Sequence, residues 1–218
     1  MGLQARQLAL ARGNRPLFEG LDFEVGAGEA LRVLGPNGSG KTSLLRVVCG
    51  LSCAHGGEVR WRGQLVDRAR ADVQRDLLYI GHAPGLKDDL SACENLQFSA
   101  RCSGRACSHE QALRALTQLG LRPHAHLPAR VLSQGQRRRV VLARLALESA
   151  PRLVVLDEPF TALDTDAVAL VAGLLRLHLA AGSTLLYTTH HAHQALAGQT
   201  RPTRELQLGA APDAAWAP

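Results

Sequence analysis

Eight consecutive residues, Gly35-Pro36-Asn37-Gly38-Ser39-Gly40-Lys41-Thr42, fit the pattern GxxxxGK[ST], and they lie where an apolar run, Ala30 to Leu34, gives way to a helix-like one, Ser43 to Val48. Glycines at these spacings let a backbone curl until successive N–H groups face an anion, and the N-terminus of the following helix adds the positive end of its dipole. In such a cradle Lys41 reaches the β- and γ-phosphates of a nucleotide, and the Thr42 hydroxyl ligates Mg2+. The plainer reading is a Gly-rich strand-to-helix turn, and a second feature argues against it. Leu153-Val154-Val155-Leu156-Asp157-Glu158-Pro159 sets two carboxylates at the end of an apolar strand, and in an open parallel sheet that end is where ligands bind. There Asp157 completes the Mg2+ shell, and Glu158 orients or deprotonates an attacking water. Phosphoryl transfer asks for positioning and charge compensation more than for covalent chemistry.

Elements must hold these groups in place. Leu8 to Arg12, Leu21 to Val25 and Glu58 to Arg62 alternate as strands do, whereas Leu77 to Ile80, Leu153 to Leu156 and Leu185 to Thr188 are short apolar runs expected of buried parallel strands. The core is therefore α/β. Between about Pro84 and Ala150 the pattern turns helical. Ser91 with Glu94 and Ser108 with Gln111 fit capping boxes, and Ser133 with Gln136 opens a third run, Gln134 to Ser149. Thr165 precedes a fourth, Asp166 to Ala180, with Gly182 at the stop. The tail from Gly209 to Pro218 is rich in alanine and proline and is expected to be loose.

Composition narrows the partners. The 218 residues suffice for one large domain, and Lys plus Arg exceed Asp plus Glu by 25 to 19, a net charge of +6. Only Lys41 and Lys87 are lysines, and aromatic residues make up 4%, which leaves little for stacking bases. Nucleic acid is not expected as a partner, and an anionic lipid surface or a membrane protein ranks above it. Five cysteines at irregular spacing suit a reducing cytoplasm. Cys102 and Cys107 flank four residues in a spacing that fits structural zinc poorly, and no metal site is assigned to them. The longest apolar stretch, Ala167 to Ala181, is broken by Arg176 and His178, so a membrane role calls for a separate spanning protein.

These motifs together resemble the ABC-type ATPases, the nucleotide-binding cassettes of transporters. Leu132-Ser133-Gln134-Gly135-Gln136 is similar to the family's signature motif, with Gln134 where glycine is commoner, and Ala162-Leu163-Asp164 resembles its D-loop. The resemblance implies a P-loop NTPase core with a mostly parallel sheet, an N-terminal antiparallel β subdomain and an inserted helical subdomain. The whole chain, 1–218, would be a single ATP-binding domain: 1–83 and 151–208 the nucleotide-binding core, 84–150 the helical subdomain with the signature, 209–218 the tail. ATP and Mg2+ would be the cofactors. The octapeptide Gly35 to Thr42 would bind nucleotide, joined by Ser133, Gly135, Gln136 and Asp164. Ser133 and the Gly135 amide would meet the γ-phosphate held by a second copy, so that ATP glues a head-to-tail dimer. Glu158 would be catalytic with His190, which stands at the position of the family's switch histidine; His191 and His193 read as surface residues. In two places the chain departs from the family. The adenine-stacking aromatic expected near Arg12 is absent, which leaves the Arg12 guanidinium against adenine, and the glutamine expected around Gly85 is missing from Gly81-His82-Ala83-Pro84-Gly85, where His82 is the available substitute.

Tyr79 to Lys87 and Leu90 to Phe98, with Ser133 to Arg139, Leu156 to Thr161 and Thr188 to His190, further resemble the cytochrome c maturation branch, whose ATPase subunits serve haem export. That likeness spans Leu3 to about Leu208. It implies hydrolysis of ATP to ADP and phosphate by two copies bound peripherally to integral membrane subunits on the cytoplasmic face of the bacterial inner membrane. The hydrolysis would drive haem handover to, or release of, a periplasmic haem chaperone, and Gly85 to Phe98 would be the contact with the membrane subunits. Two other readings stay open here: the ATPase of an ABC transporter with different cargo, and a soluble haem-binding module using His190, His191, His193 and the cysteines.

Overall fold

Polar residues on the open face of a strand hide its length from a pattern of apolar alternation, and the first two strands run well beyond their apolar stretches. The computed structural model describes residues 2–13, 15–147, 151–189, 196 and 203–209. In it β1 covers Leu3–Arg12 and β2 Arg15–Val25. Their antiparallel register shifts between Ala5 and Leu8, around Gln7 at φ 45°. A bulge of this kind breaks the period of two that alternation depends on. β4, Gly56–Trp61, pairs antiparallel with the other side of β1, and the two-residue β5, Gln64–Leu65, closes the sheet in the order β2-β1-β4-β5. Arg62, expected in the strand, instead turns out of it at φ 53°.

The second sheet has the order β6-β7-β8-β3-β9. Its strands are β3 (Ala30–Leu34), β6 (Leu77–Ile80), β7 (Leu153–Leu156), β8 (Thr184–Thr188) and β9 (Arg204–Gln207). β7 runs parallel to β8, and β3 parallel to both β8 and β9. Every residue of β7 and β8 is buried, as strands covered on both faces require. β9 escapes the sequence pattern because Arg204, Glu205 and Gln207 are exposed at the sheet edge. α1, Lys41–Val48, supplies Leu44, Leu45, Val47 and Val48 to a core shared with Leu3 and Leu8 of the first sheet and Val155 and Leu186 of the second. A further helix, α2 (Arg70–Asp76), is anchored by Val73 in that core.

The chain divides into two compact units, one of residues 1–79, 151–158 and 178–218, the other of residues 80–150 and 159–177. The second unit holds α3 (Ala92–Cys102), α4 (His109–Gln118), α5 (Gln134–Leu142) and α6 (Arg144–Leu147). All three expected capping boxes form, at Ser91/Glu94, Ser108/Gln111 and Ser133/Gln136. The run from Gln134 is interrupted at Ala143, where a bond from the Ala146 N–H to the Ala143 carbonyl tightens the turn; its last two residues, 148 and 149, lie outside the described set. α7, Thr165–Ala180, begins one residue before its expected start because Asp164 caps it, the Oδ1 accepting from the Ala167 N–H at 2.8 Å. Gly182 follows at φ 89°, as expected of a helix stop. Among the described residues no helix is long and apolar enough to cross a membrane. Of the tail, only Gly209 is described.

Each capping box satisfies two orphan N–H groups. Replacing Ser91 by Ala removes the acceptor for the Glu94 N–H and is expected to lower stability by about 1 kcal/mol, read as a lower urea midpoint at unchanged slope.

Candidate active site

Helix α1, like the short α2, begins without a side-chain cap. α3, α4 and α5 carry capping boxes and α7 is capped by Asp164, whereas α1 has no side-chain cap and no acidic residue in its first turn. Its N-cap is Gly40 in the left-handed region, φ 97°, with Leu17 and Phe18 side chains 3.2 Å from where a Cβ would stand. Glycine is favoured by the backbone angle, and a side chain here would also have to press Leu17 and Phe18 aside. At the other end of the loop a Cβ on Gly35 would collide with Ser39 Oγ at 2.6 Å and the Leu208 carbonyl at 2.7 Å. Ser39 is buried and its hydroxyl has no hydrogen-bond partner among the described residues. Pro36, Asn37 and Gly38 form the exposed crest of the turn. Among the described residues no side chain caps the first-turn amides of α1, which with the helix dipole suit an anion.

The carboxylates adjoin this loop. Asp157, 2% exposed at the end of β7, accepts from Thr42 Oγ1 through Oδ2 and from Thr188 Oγ1 through Oδ1, both at 2.8 Å. The Thr188 hydroxyl in turn accepts from the Glu158 N–H at 2.9 Å. Glu158 sits at φ 49°, a conformation costly for a residue with a Cβ and concentrated at functional sites. The Lys41 ammonium donates to the carbonyls of Gly35 and Pro36 at 2.7 and 3.0 Å. Burial pulls its pKa below the ordinary lysine value, and the negative charges of Glu158 and Asp157 work against that shift. Tyr79 next to the group is moved the other way: burial first, then the Asp157 charge, raises its pKa. A hydroxyl and a carboxylate in direct contact make a hard oxygen donor set of the kind Mg2+ prefers.

The remaining candidates fall into two groups. Arg12 ends β1 with its side chain exposed, opposite Arg15 in the register. Ser133, Gly135, Gln136 and Asp164 lie in the second unit. Ser133 Oγ accepts from the Gln136 N–H at 3.2 Å, Gln136 Oε1 accepts from the Ser133 N–H at 2.9 Å, and Gln136 Nε2 meets His124 Nε2 at 3.0 Å. A Cβ on Gly135 would stand 2.7 Å from the carbonyl oxygen of Ala162, which is itself at φ 62°. His190, His191 and His193 lie outside the described residues. His82 is exposed, and its carbonyl, with that of Gly81, accepts from the buried Arg138 at 3.3 and 2.9 Å. Thr188 was missed from the sequence as a site residue. Its signal was there: a hydroxyl ending an otherwise apolar strand beside the one that carries the acids.

A family model for ABC transporters matches residues 18–161. The chain belongs to the ABC transporter family. Within it the chain is 51% identical over 188 residues to the cytochrome c biogenesis ATP-binding export protein CcmA of Aromatoleum aromaticum, covering 86% of this chain and 88% of that one. It is 44% identical over 207 residues to the protein of the same name from Dechloromonas aromatica, covering 95% and 100%. Among solved structures, a dimeric ATP-binding cassette in a post-hydrolysis state with ADP and Pi superposes with a TM-score of 0.81 at 23% identity, over 95% of this chain and 96% of that one. This ABC cassette is therefore an ATPase, with the parallel-sheet core and antiparallel subdomain expected of its family.

Substituting Thr188 by Val keeps the shape of the side chain and removes both of its bonds. The Glu158 N–H loses its Thr188 acceptor and the Asp157 carboxylate loses a donor, and a loss of about 1–3 kcal/mol is expected, measured by urea denaturation against the parent chain. An unchanged midpoint would show that the hydroxyl bridge contributes nothing to the fold.

Proposed function

We propose that this ABC cassette is the ATP-hydrolysing subunit of a membrane complex for cytochrome c biogenesis, its cycle serving haem export or release of a haem-loaded chaperone. The single observation that carries the chemistry is the uncapped N-terminus of α1 beneath a glycine loop, with Asp157 and Glu158 tied to it through Thr42 and Thr188. The names of the curated relatives carry the choice of pathway and leave the readings of different cargo and of a haem-binding module without support.

In this reading the N–H groups of Asn37 to Lys41 surround the triphosphate. The Lys41 ammonium exchanges its two loop carbonyls for the β- and γ-phosphates, so the loop is held in shape before nucleotide arrives. Thr42 and Asp157 are the residues to hold Mg2+, which when bound offsets charge on the phosphates. Glu158 orients the attacking water and accepts its proton on the carboxylate, and its N–H bond to Thr188 fixes the direction from which it does so. His190 assists at the γ-phosphate, and Arg12 lies against adenine. Ser133, Gly135, Gln136 and Asp164 act on the nucleotide of a second copy, closing a head-to-tail dimer, and the solved cassette of the same fold described above is itself dimeric. Ser133 is compatible with both duties, as a cap in the free chain and as a phosphate donor in the closed dimer. Integral membrane subunits would take the helical segment 84–150, above all Gly85 to Phe98, and would place the chain on the cytoplasmic face of the inner membrane. A periplasmic haem chaperone is the indirect partner.

Two substitutions test the mechanism. Lys41→Ala is expected to abolish nucleotide binding. Glu158→Gln is expected to bind ATP, to hydrolyse it about 10²- to 10⁴-fold more slowly and to accumulate as a dimer in size-exclusion chromatography with ATP. Parental turnover in Glu158→Gln would remove Glu158 from the mechanism. Isolation of the tagged chain from membranes tests the pathway: cytochrome c maturation membrane proteins should accompany it, and a solute importer's subunits in their place would overturn the assignment.

A further inference from the structure

One cluster of metal-ligating side chains lies in the second unit and takes no part in the chemistry above. Ligand atoms of Cys93, His109 and His126 all lie within 4.8 Å of one another. They come from three separate segments that the backbone locks together. Cys93 is in the first turn of α3, and its N–H donates to the Ala125 carbonyl at 3.0 Å, while the neighbouring Ala92 N–H donates to Leu127 at 3.2 Å. His126 is held between those two bonds. His109 opens α4, whose start is fixed by the Ser108/Gln111 capping box, and the loop before it is tied to α3 by Gln97 Nε2 donating to the Cys107 carbonyl at 3.3 Å. The two imidazoles stack with centroids 5.3 Å apart and planes 19° from parallel, with the buried thiol of Cys93 beside them.

We propose that Cys93, His109 and His126 form a binding site for a single borderline-soft divalent cation, Zn2+ in kind, on the helical unit. One thiolate and two imidazoles are the donors that select such an ion over Mg2+ or Ca2+. The ion occupies the gap between thiol and rings, drawing the ligand atoms in to bonding distance, and the Cys93 proton leaves to solvent as the thiolate binds. Water fills the fourth position. The site differs from the Cys102 and Cys107 pairing considered from spacing, since Cys102 is outside the cluster. Residues 93, 109 and 126 are too irregularly separated to announce a zinc motif in sequence.

The test uses the full-length, tag-free, reduced chain without nucleotide, so that the phosphate loop presents no competing divalent site. Titration with Co2+ is expected to give one equivalent with the visible bands of tetrahedral cobalt and a near-ultraviolet thiolate charge-transfer band, both lost on adding Zn2+. His109→Ala with His126→Ala, two exposed positions, should abolish the tetrahedral spectrum while leaving the far-ultraviolet circular dichroism unchanged. Cys93→Ser should diminish the charge-transfer band. No tetrahedral spectrum in the parent chain overturns the proposal, as does an undiminished spectrum in the double histidine variant, which retains His190, His191 and His193. Both readouts are independent of ATP turnover, so failure here leaves the proposed ATPase role untouched.

Discussion

Asp157 is the point at which three parts of the nucleotide-binding unit meet. Its carboxylate ends β7, takes the hydroxyl of Thr42 from the first turn of α1, and takes the hydroxyl of Thr188 from the end of β8. Deep burial of a carboxylate is tolerable only when its oxygens are satisfied, and here the satisfying groups are those that set the phosphate loop and the second acid in place. Thr188 passes the constraint on by accepting from the Glu158 N–H, which holds a backbone conformation that a side-chain-bearing residue seldom adopts. The alignment of the glycine loop, Asp157 and Glu158 is thus a property of two hydroxyls and one acid.

Much of this was legible in the residues, and where it was not the reasons are physical. The cradle, the acids after β7 and the three capping boxes have local signatures, since each depends on side chains within a few positions of one another. Strand length was underestimated at β1 and β2 because the bulge at Gln7 resets the alternation. β9 and α2 were unseen because an edge strand with exposed polar residues, and a short helix with one buried valine, carry almost no periodic signal. Thr188 and the cluster of Cys93, His109 and His126 depend on contacts across long separations in sequence, which spacing does not encode. The residues proposed to act in a second copy are set by an assembly, and a single chain displays only their resting bonds.

The arginines show how composition misleads when read as a surface property. Arg137, Arg138 and Arg139 look like a basic run, yet Arg137 donates to the Ala129 carbonyl and pairs with Asp88, Arg138 is buried against the carbonyls of Gly81 and His82, and Arg139 donates to the Leu119 carbonyl. Their forked donors serve backbone carbonyls at helix ends and in loops. Arg138 is the most consequential, since it fastens the turn at Gly81 and His82 to α5.

Gly135 has no spare room above it: the carbonyl of Ala162 occupies the place a methyl group would take. The opening of α5 and the turn before α7 are therefore meshed like teeth without backlash. A side chain at position 135 would have to force main chain aside at Ala162, so the close approach of the two segments depends on the bare backbone there.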